Sequence, residues 1–224
     1  MKKPFTEDEV AAIAAQLRKP EGEFGKNIGK NMNVSNKHMN LHTIAVLDPQ
    51  ANDHILEIGM GNGFFVKNIL NQSSTIKYTG LDYSETMIEM AFHLNQEFIL
   101  TKQAKFVCAN INAMPFDNHS FNKIFTINTF YFWDNHAAVL EELNRVLKPG
   151  GLLLIAVRPK HNLEKFTFTK HNFTILSSKE ITDLAMDAGF ESIELTTIKE
   201  PRTIYLGKVL RNETHIISCK KRES

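Results

Sequence analysis

Up to about residue 50, apolar residues recur every three or four positions. Val10, Ile13, Ala14 and Leu17 follow Thr6-Glu7-Asp8-Glu9, a capping box with a hydroxyl three residues before a Glu. This predicts a helix, stopped by Pro20 and Gly22. Residues 21–33 are polar and carry Gly22, Gly25 and Gly29, so a mobile loop is expected there. A second helix is expected over about 36–47, with Leu41, Ile44 and Ala45 inward and Asp48-Pro49 as its stop.

From Asp53 the rhythm changes. His54-Ile55-Leu56-Glu57-Ile58 is a short apolar run closed by Gly59-Met60-Gly61-Asn62-Gly63. A short helix over 64–70 and a strand over 75–81, ended by Asp82, come next. Ser84 opens a helix with Met87, Ala91, Leu94 and Phe98 along one face. Strands are predicted at 105–109 and 121–127, and a helix at 136–147 with Val139, Leu140, Leu143, Val146 and Leu147 apolar. Lys148-Pro149-Gly150-Gly151 reads as a helix stop and turn before a fifth strand at 152–157.

Strands that alternate with helices of these lengths need crossover connections, which gives an α/β class, doubly wound, with a mainly parallel sheet and helices on both faces. Nearly continuous apolar strands agree, because such strands are buried on both sides. Beyond 157 the order loosens. Residues 159–173 are polar and aromatic without a clear period, and are expected to form a small cap insertion over the site. Ser177-Ser178-Lys179-Glu180 is a second capping box, and Ile181, Leu184, Ala185 and Ala188 continue as a helix that Gly189 ends. Two last strands are expected at 192–198 and 214–219. The domain plan is therefore an N-terminal helical extension over 1–50 and one α/β domain over 51–224.

Composition narrows the classes. The 26 basic and 25 acidic residues leave a net charge of +1, so no bulk field points to nucleic acid or to an anionic membrane. The tail Lys220-Lys221-Arg222 reads as a solvated terminus. No run approaches the ~20 apolar residues of a membrane span. The N-terminus lacks the apolar stretch of a signal peptide. The two cysteines, Cys108 and Cys219, form no paired metal or redox motif, and they fit a cytoplasmic setting. No metal site is expected.

Three signals carry chemistry. Glycines crowd the turn Gly59-Met60-Gly61-Asn62-Gly63, where a backbone must approach a ligand closely. Its G-x-G-x-G spacing departs from the dinucleotide fingerprint, since Phe64 stands where a third glycine would be, and no Lys-Ser or Lys-Thr follows as in a phosphate loop. A tight turn with no ligand gives the same pattern. Asp82 follows Gly63 by 19 residues at a strand tip, where a carboxylate accepts both hydroxyls of a ribose or, more plainly, caps a helix. Cys108-Ala109-Asn110-Ile111 ends the third strand, so Asn110 can meet an adenine edge and Ile111 its face, or Asn110 can simply make a turn.

Four segments in order resemble the class I methyltransferases that use S-adenosylmethionine (SAM). They are 55–63, then Leu81-Asp82-Tyr83-Ser84-Glu85-Thr86-Met87, then 110–116 with Phe121-Asn122-Lys123-Ile124, then Arg145-Val146-Leu147-Lys148-Pro149-Gly150-Gly151. The likeness covers 53–158 and is nearest the methyltransferase type 11 branch, which includes ubiquinone and menaquinone biosynthesis enzymes. It implies a seven-stranded sheet whose last strand is antiparallel. It also implies that Glu57, Gly59, Gly61 and Gly63 wrap the methionine part of SAM, while Asp82 holds the ribose. Tyr83 and Met87 would line the nucleoside pocket, Asn110 and Ile111 would hold adenine, and Asn128 would lie near the methyl group. Asn110 stands where the family usually has Asp, which removes a charge and predicts weaker SAM affinity.

Methyl transfer from a sulfonium is mainly a task of positioning and desolvation, so an acid–base signature is not required. His38, His136, His161 and His171 are candidate bases by type, each without a motif around it. Asp134 fits a helix cap equally well. In Thr129-Phe130-Tyr131-Phe132-Trp133, Tyr131 and Trp133 fit either an aromatic wall at the reacting end or core packing, and Phe132 fits core. Tyr131, Trp133 and His38 are the catalytic candidates. The loop at 21–33, with Phe24 and Lys30, is expected either to close over SAM or to serve as a connector. The leading expectation is methyl transfer to a small molecule, with S-adenosylhomocysteine as product. An NAD-dependent oxidoreductase and a non-catalytic SAM-binding module are the alternatives.

Overall fold

The order of strands follows from which runs are apolar on both sides. The computed structural model describes residues 5–205 and 208–223; the first four residues of the expected extension lie outside it. In the central sheet β1 (His54–Ile58) pairs with β2 (Lys77–Asp82) and β4 (Phe121–Ile127), and β2 pairs with β3 (Ala104–Cys108), all in parallel. β5 (Leu147–Val157) continues parallel to β4. β6 (Phe190–Lys199) forms the far edge. β7 (Thr203–Tyr205) and β8 (Lys208–Leu210) make a separate two-stranded ladder that the apolar pattern did not foretell. β9 (Glu213–Lys221) inserts antiparallel between β5 and β6, so the order is β3-β2-β1-β4-β5-β9-β6.

Alternation along the strands divides the core. Leu56, Ile124 and Ile155 pack on one face with α7 (His136–Val146) and α9 (Ser178–Asp187). Ile55, Phe125 and Leu154 pack on the other with the helix residues Met39, Leu47 and Ile69. Both faces are covered, which is why the strands read as nearly unbroken apolar runs.

The helices before the sheet are α1 (Glu7–Arg18), α2 (Gly22–Ser35) and α3 (Lys37–Leu47). The loop expected at 21–33 is a helix. Its glycines are contact points: a Cβ on Gly25 would stand 2.5 Å from Pro20 backbone, and one on Gly29 would stand 3.1 Å from the Met87 side chain. α3 buries Met39, Asn40, Thr43, Ile44 and Leu47, whereas Leu41 and Ala45 face outward, against expectation. α4 (Val66–Leu70) is short. The helix after β2 breaks at Asn95 into α5 (Glu85–Leu94) and α6 (Gln96–Leu100). Buried Asn95 donates to the carbonyls of Ala91 and Gly63, and the break turns Leu94 out to solvent. The turn expected at 148–151 lies inside β5, where the register with β4 shifts between Phe121 and Lys123. Residues 159–173 contain α8 (Lys160–Leu163) and a helical turn at Thr167–Lys170. Among the described residues no helix is long and apolar enough to cross a membrane.

Candidate functional site

The glycine turn sits at the carboxyl end of β1. The amides of Gly59 and Met60 donate to the Leu81 carbonyl at 2.7 and 3.4 Å, which ties the turn to β2. Gly59 has φ +66°, and a Cβ there would stand 2.1 Å from the Thr129 side chain. Gly61 has φ +58° with nothing within 4 Å of the Cβ position, so its backbone faces open space. Gly63 also has φ +67° but packs against Ala91 and Asn95.

Asp82 ends β2 and binds the turn from the other side. Its Oδ2 accepts from the Gly61 amide at 3.0 Å and its Oδ1 from the Ser84 amide at 2.9 Å. Desolvation still lifts its pKa to about 6, against the lowering effect of these bonds. Glu57, one strand away, accepts from the Tyr78 hydroxyl at 2.5 Å. Burial pushes Glu57 up to about 8, the Tyr78 bond lowers it, and the charge of Asp82 raises it further. Two buried carboxyl groups therefore lie beneath the turn.

A cavity of about 180 Å³ opens above them. Of the residues singled out in the sequence, Glu57, Gly59, Gly61, Asp82 and Tyr83 border it. So do Met87, Asn110, Ile111, Asn128 and Trp133. Gly63 does not; its role is to let the turn pass close to α5. Asn110 also makes the simple turn, accepting from the Asn112 amide at 2.9 Å. Cys108, at the end of β3, is exposed because β3 is an edge strand.

The aromatic run splits. Phe130 and Tyr131 are buried, while Phe132, expected in the core, is half-buried and borders the cavity. Tyr131 borders a second cavity of about 280 Å³ beside the first. Its hydroxyl accepts from the Arg158 amide and donates to Asn128 Oδ1 at 3.1 Å. Asn128, left-handed at φ +57°, donates from Nδ2 to Asn36 Oδ1 at 3.1 Å. Residues 159–173 reach this region through Phe173, whose ring lies 4.6 Å from Phe132 and 5.9 Å from Tyr131. His38 borders neither cavity. His136 contacts the Phe130 carbonyl at 2.9 Å and is lowered by burial. His161 faces Glu213 at 3.9 Å and His171 faces Glu7 at 3.0 Å.

Several bordering residues escaped the sequence reading. Arg18, Asn36, Asn40 and Asn62 are among them. Asn36 and Asn40 are four apart, the spacing of one helix face, and that spacing was the available signal. Asn62 Nδ2 is buried without a hydrogen-bond partner among the described residues. An orphaned donor, an open glycine backbone and two buried carboxyl groups fit a ligand with a cationic, polar end and a ribose.

Ligand-facing residues at the carboxyl ends of parallel strands, around a glycine turn and a strand-tip Asp, define a nucleoside-binding α/β protein. Residues 56–155 match the methyltransferase domain family. The uncharacterized methyltransferase YdaC of Bacillus subtilis is 26% identical over 75% of this chain and 87% of its own length. An O-methyltransferase, resE, of Aspergillus sclerotiorum is 29% identical over 76% of this chain and 67% of its own. A chain from the Haloferax volcanii complex of the Trm112 methyltransferase activator superposes with a TM-score of 0.73 at 20% identity. That superposition covers 98% of this chain and 100% of that one, and it shows the shared fold. The similarity to the type 11 methyltransferase domain covers residues 56–155; the chain is a SAM-dependent methyltransferase, and SAM is its cofactor.

Proposed function

We propose that the protein transfers a methyl group from SAM to a small-molecule acceptor by in-line displacement in a partly aromatic cavity. The observation that carries this is continuity. One cavity runs from Gly61 and Asp82 to Asn128, Phe132 and Trp133. When bound, SAM supplies a methyl group activated by its sulfonium. Glu57, Gly59 and Gly61 receive the methionine part, Asp82 the ribose hydroxyls, and Tyr83 and Met87 the nucleoside. Asn110 and Ile111 meet the adenine. Helices α1 to α3 serve as a lid that excludes water, and exclusion of water strengthens each polar contact beneath it. Tyr131 holds the Asn128 amide in one orientation through its hydroxyl. The likeness to a fungal O-methyltransferase supports methyl transfer as the activity. The unpaired, exposed thiol of Cys108 supports a cytoplasmic setting.

The test is calorimetric titration with SAM and with S-adenosylhomocysteine, followed by transfer of labelled methyl to fractionated small molecules. One equivalent of either ligand should bind. Asp82→Ala should weaken SAM by about 10- to 100-fold, the worth of hydrogen bonds to a charged group. A folded protein that binds neither ligand overturns the reading.

A further inference from the structure

Two cavities meet at one ion pair. The cofactor cavity and its polar neighbour share Arg18, Phe132, Trp133 and Asp134. Arg18 ends α1, and its Nη2 donates to Asp134 Oδ1 at 2.6 Å. Among the described residues that border either cavity it is the only cation.

The two partners are held very differently. The backbone beneath Arg18 is pinned to the cofactor side: the Tyr83 hydroxyl donates to the Arg18 carbonyl at 2.8 Å, and the Ser84 hydroxyl donates to the carbonyl of Pro20. The Arg18 side chain is 32% exposed, whereas that of Asp134 is 71% exposed. A pair this exposed is weakly held and easily exchanged. A guanidinium forks around a carboxylate or a phosphate, and a planar molecule bearing one would meet Phe132 and Trp133 at the same junction.

We propose that Arg18 recognises an oxyanion carried by the methyl acceptor, which makes the acceptor a small planar organic anion, and that Asp134 occupies the guanidinium until the acceptor displaces it. This rests on the methyl-transfer reading and names its substrate class. The chemistry is consistent with the reaction. An amine held at Asp134 would stay protonated and offer no lone pair to a methyl group. An anion held at Arg18 leaves the acceptor's nucleophile unhindered.

Trp133 is the single tryptophan of the chain, so its emission reports on this junction. The full-length protein, saturated with S-adenosylhomocysteine, is titrated with benzoate, phenyl phosphate, benzyl alcohol and benzylammonium. Benzoate or phenyl phosphate should change the emission saturably, and the stronger of the two identifies a carboxylate or a phosphate. Arg18→Gln should weaken that response by about tenfold, and Arg18→Lys should not restore it, because a point charge lacks the fork. Asp134→Asn should tighten it by about threefold, since a weak internal competitor is removed. An anion response that survives Arg18→Gln, or weakens in Asp134→Asn, overturns the proposal. So does saturable benzylammonium binding that depends on Asp134, which would assign a cationic acceptor. Loss of S-adenosylhomocysteine binding in Arg18→Gln would assign Arg18 to cofactor binding and overturns it too. Failure of the unmodified protein to bind S-adenosylhomocysteine instead sinks the methyl-transfer reading itself.

Discussion

At Glu57 burial and ligand binding pull in opposite directions. Its pKa of about 8 lies above the ordinary 4.5, so the folded state holds a proton that the unfolded chain releases. Stability from this group therefore falls as pH rises from about 4.5 to about 8, and the cost is complete above that. A cationic ligand prefers the ionised carboxylates. SAM binding should release protons, and affinity should decline as pH drops through about 8 and then about 6, the value at Asp82. Calorimetry in two buffers of different ionisation enthalpy measures the release, and Glu57→Gln should flatten the upper limb. Gly61 separates fold from binding. Its Cβ would meet nothing, so Gly61→Ala should cost only about 1–2 kcal/mol of backbone strain. The same methyl group would fill the ligand's approach, and SAM binding should be lost in a protein that still melts cooperatively. The glycine turn and Asp82 were legible because each pairs a residue type with a strand end. Asn36 was not, because its partner Asn128 is 92 residues away in sequence.

Among the elements, α2 shows where local rules fail. Glycine lowers helix propensity by about 1 kcal/mol, and three of them in 21–33 argue for a loop. The helix forms because two of those glycines bring α2 close to the segment at Pro20 and to α5. Gly29→Val should lift α2 from Met87, weaken SAM by about tenfold and raise amide exchange along Gly22–Ser35, with a smaller effect on overall stability. Capping boxes were legible, because they are closed within four residues. Thr6 and Glu9 exchange bonds of 3.3 and 2.8 Å, and Ser177 and Glu180 repeat the arrangement. The inward face of α3 was misread because Asn40 and Thr43 take buried positions: Asn40 donates to the Asn36 carbonyl and Thr43 to the Met39 carbonyl.

Over the whole molecule, a buried ion pair joins two strand ends of the sheet, and its Arg reaches the helices that precede the sheet. Arg158, just after β5, pairs with Glu200, just after β6, at side-chain exposures of 11% and 3%. The Arg158 amide donates to Tyr131, and its guanidinium reaches the Ser35 carbonyl at 3.5 Å. Glu200→Gln should cost about 3–5 kcal/mol, as expected when one partner of a buried pair is removed. A thermal melt checks this, and replacement of both partners by apolar residues should recover much of the loss.

Periodicity, strand-tip residues and the glycine turn were enough to read a doubly wound sheet and to pick out residues that border one cavity, because strand alternation and turn geometry are enforced within a few residues. The β7–β8 ladder, the helix at α2, the burial of Tyr131 and the meeting of Arg18 with Asp134 were decided by the tertiary structure. Each depends on contact between segments far apart in the chain, or on packing that overrides a local preference by bringing surfaces within reach.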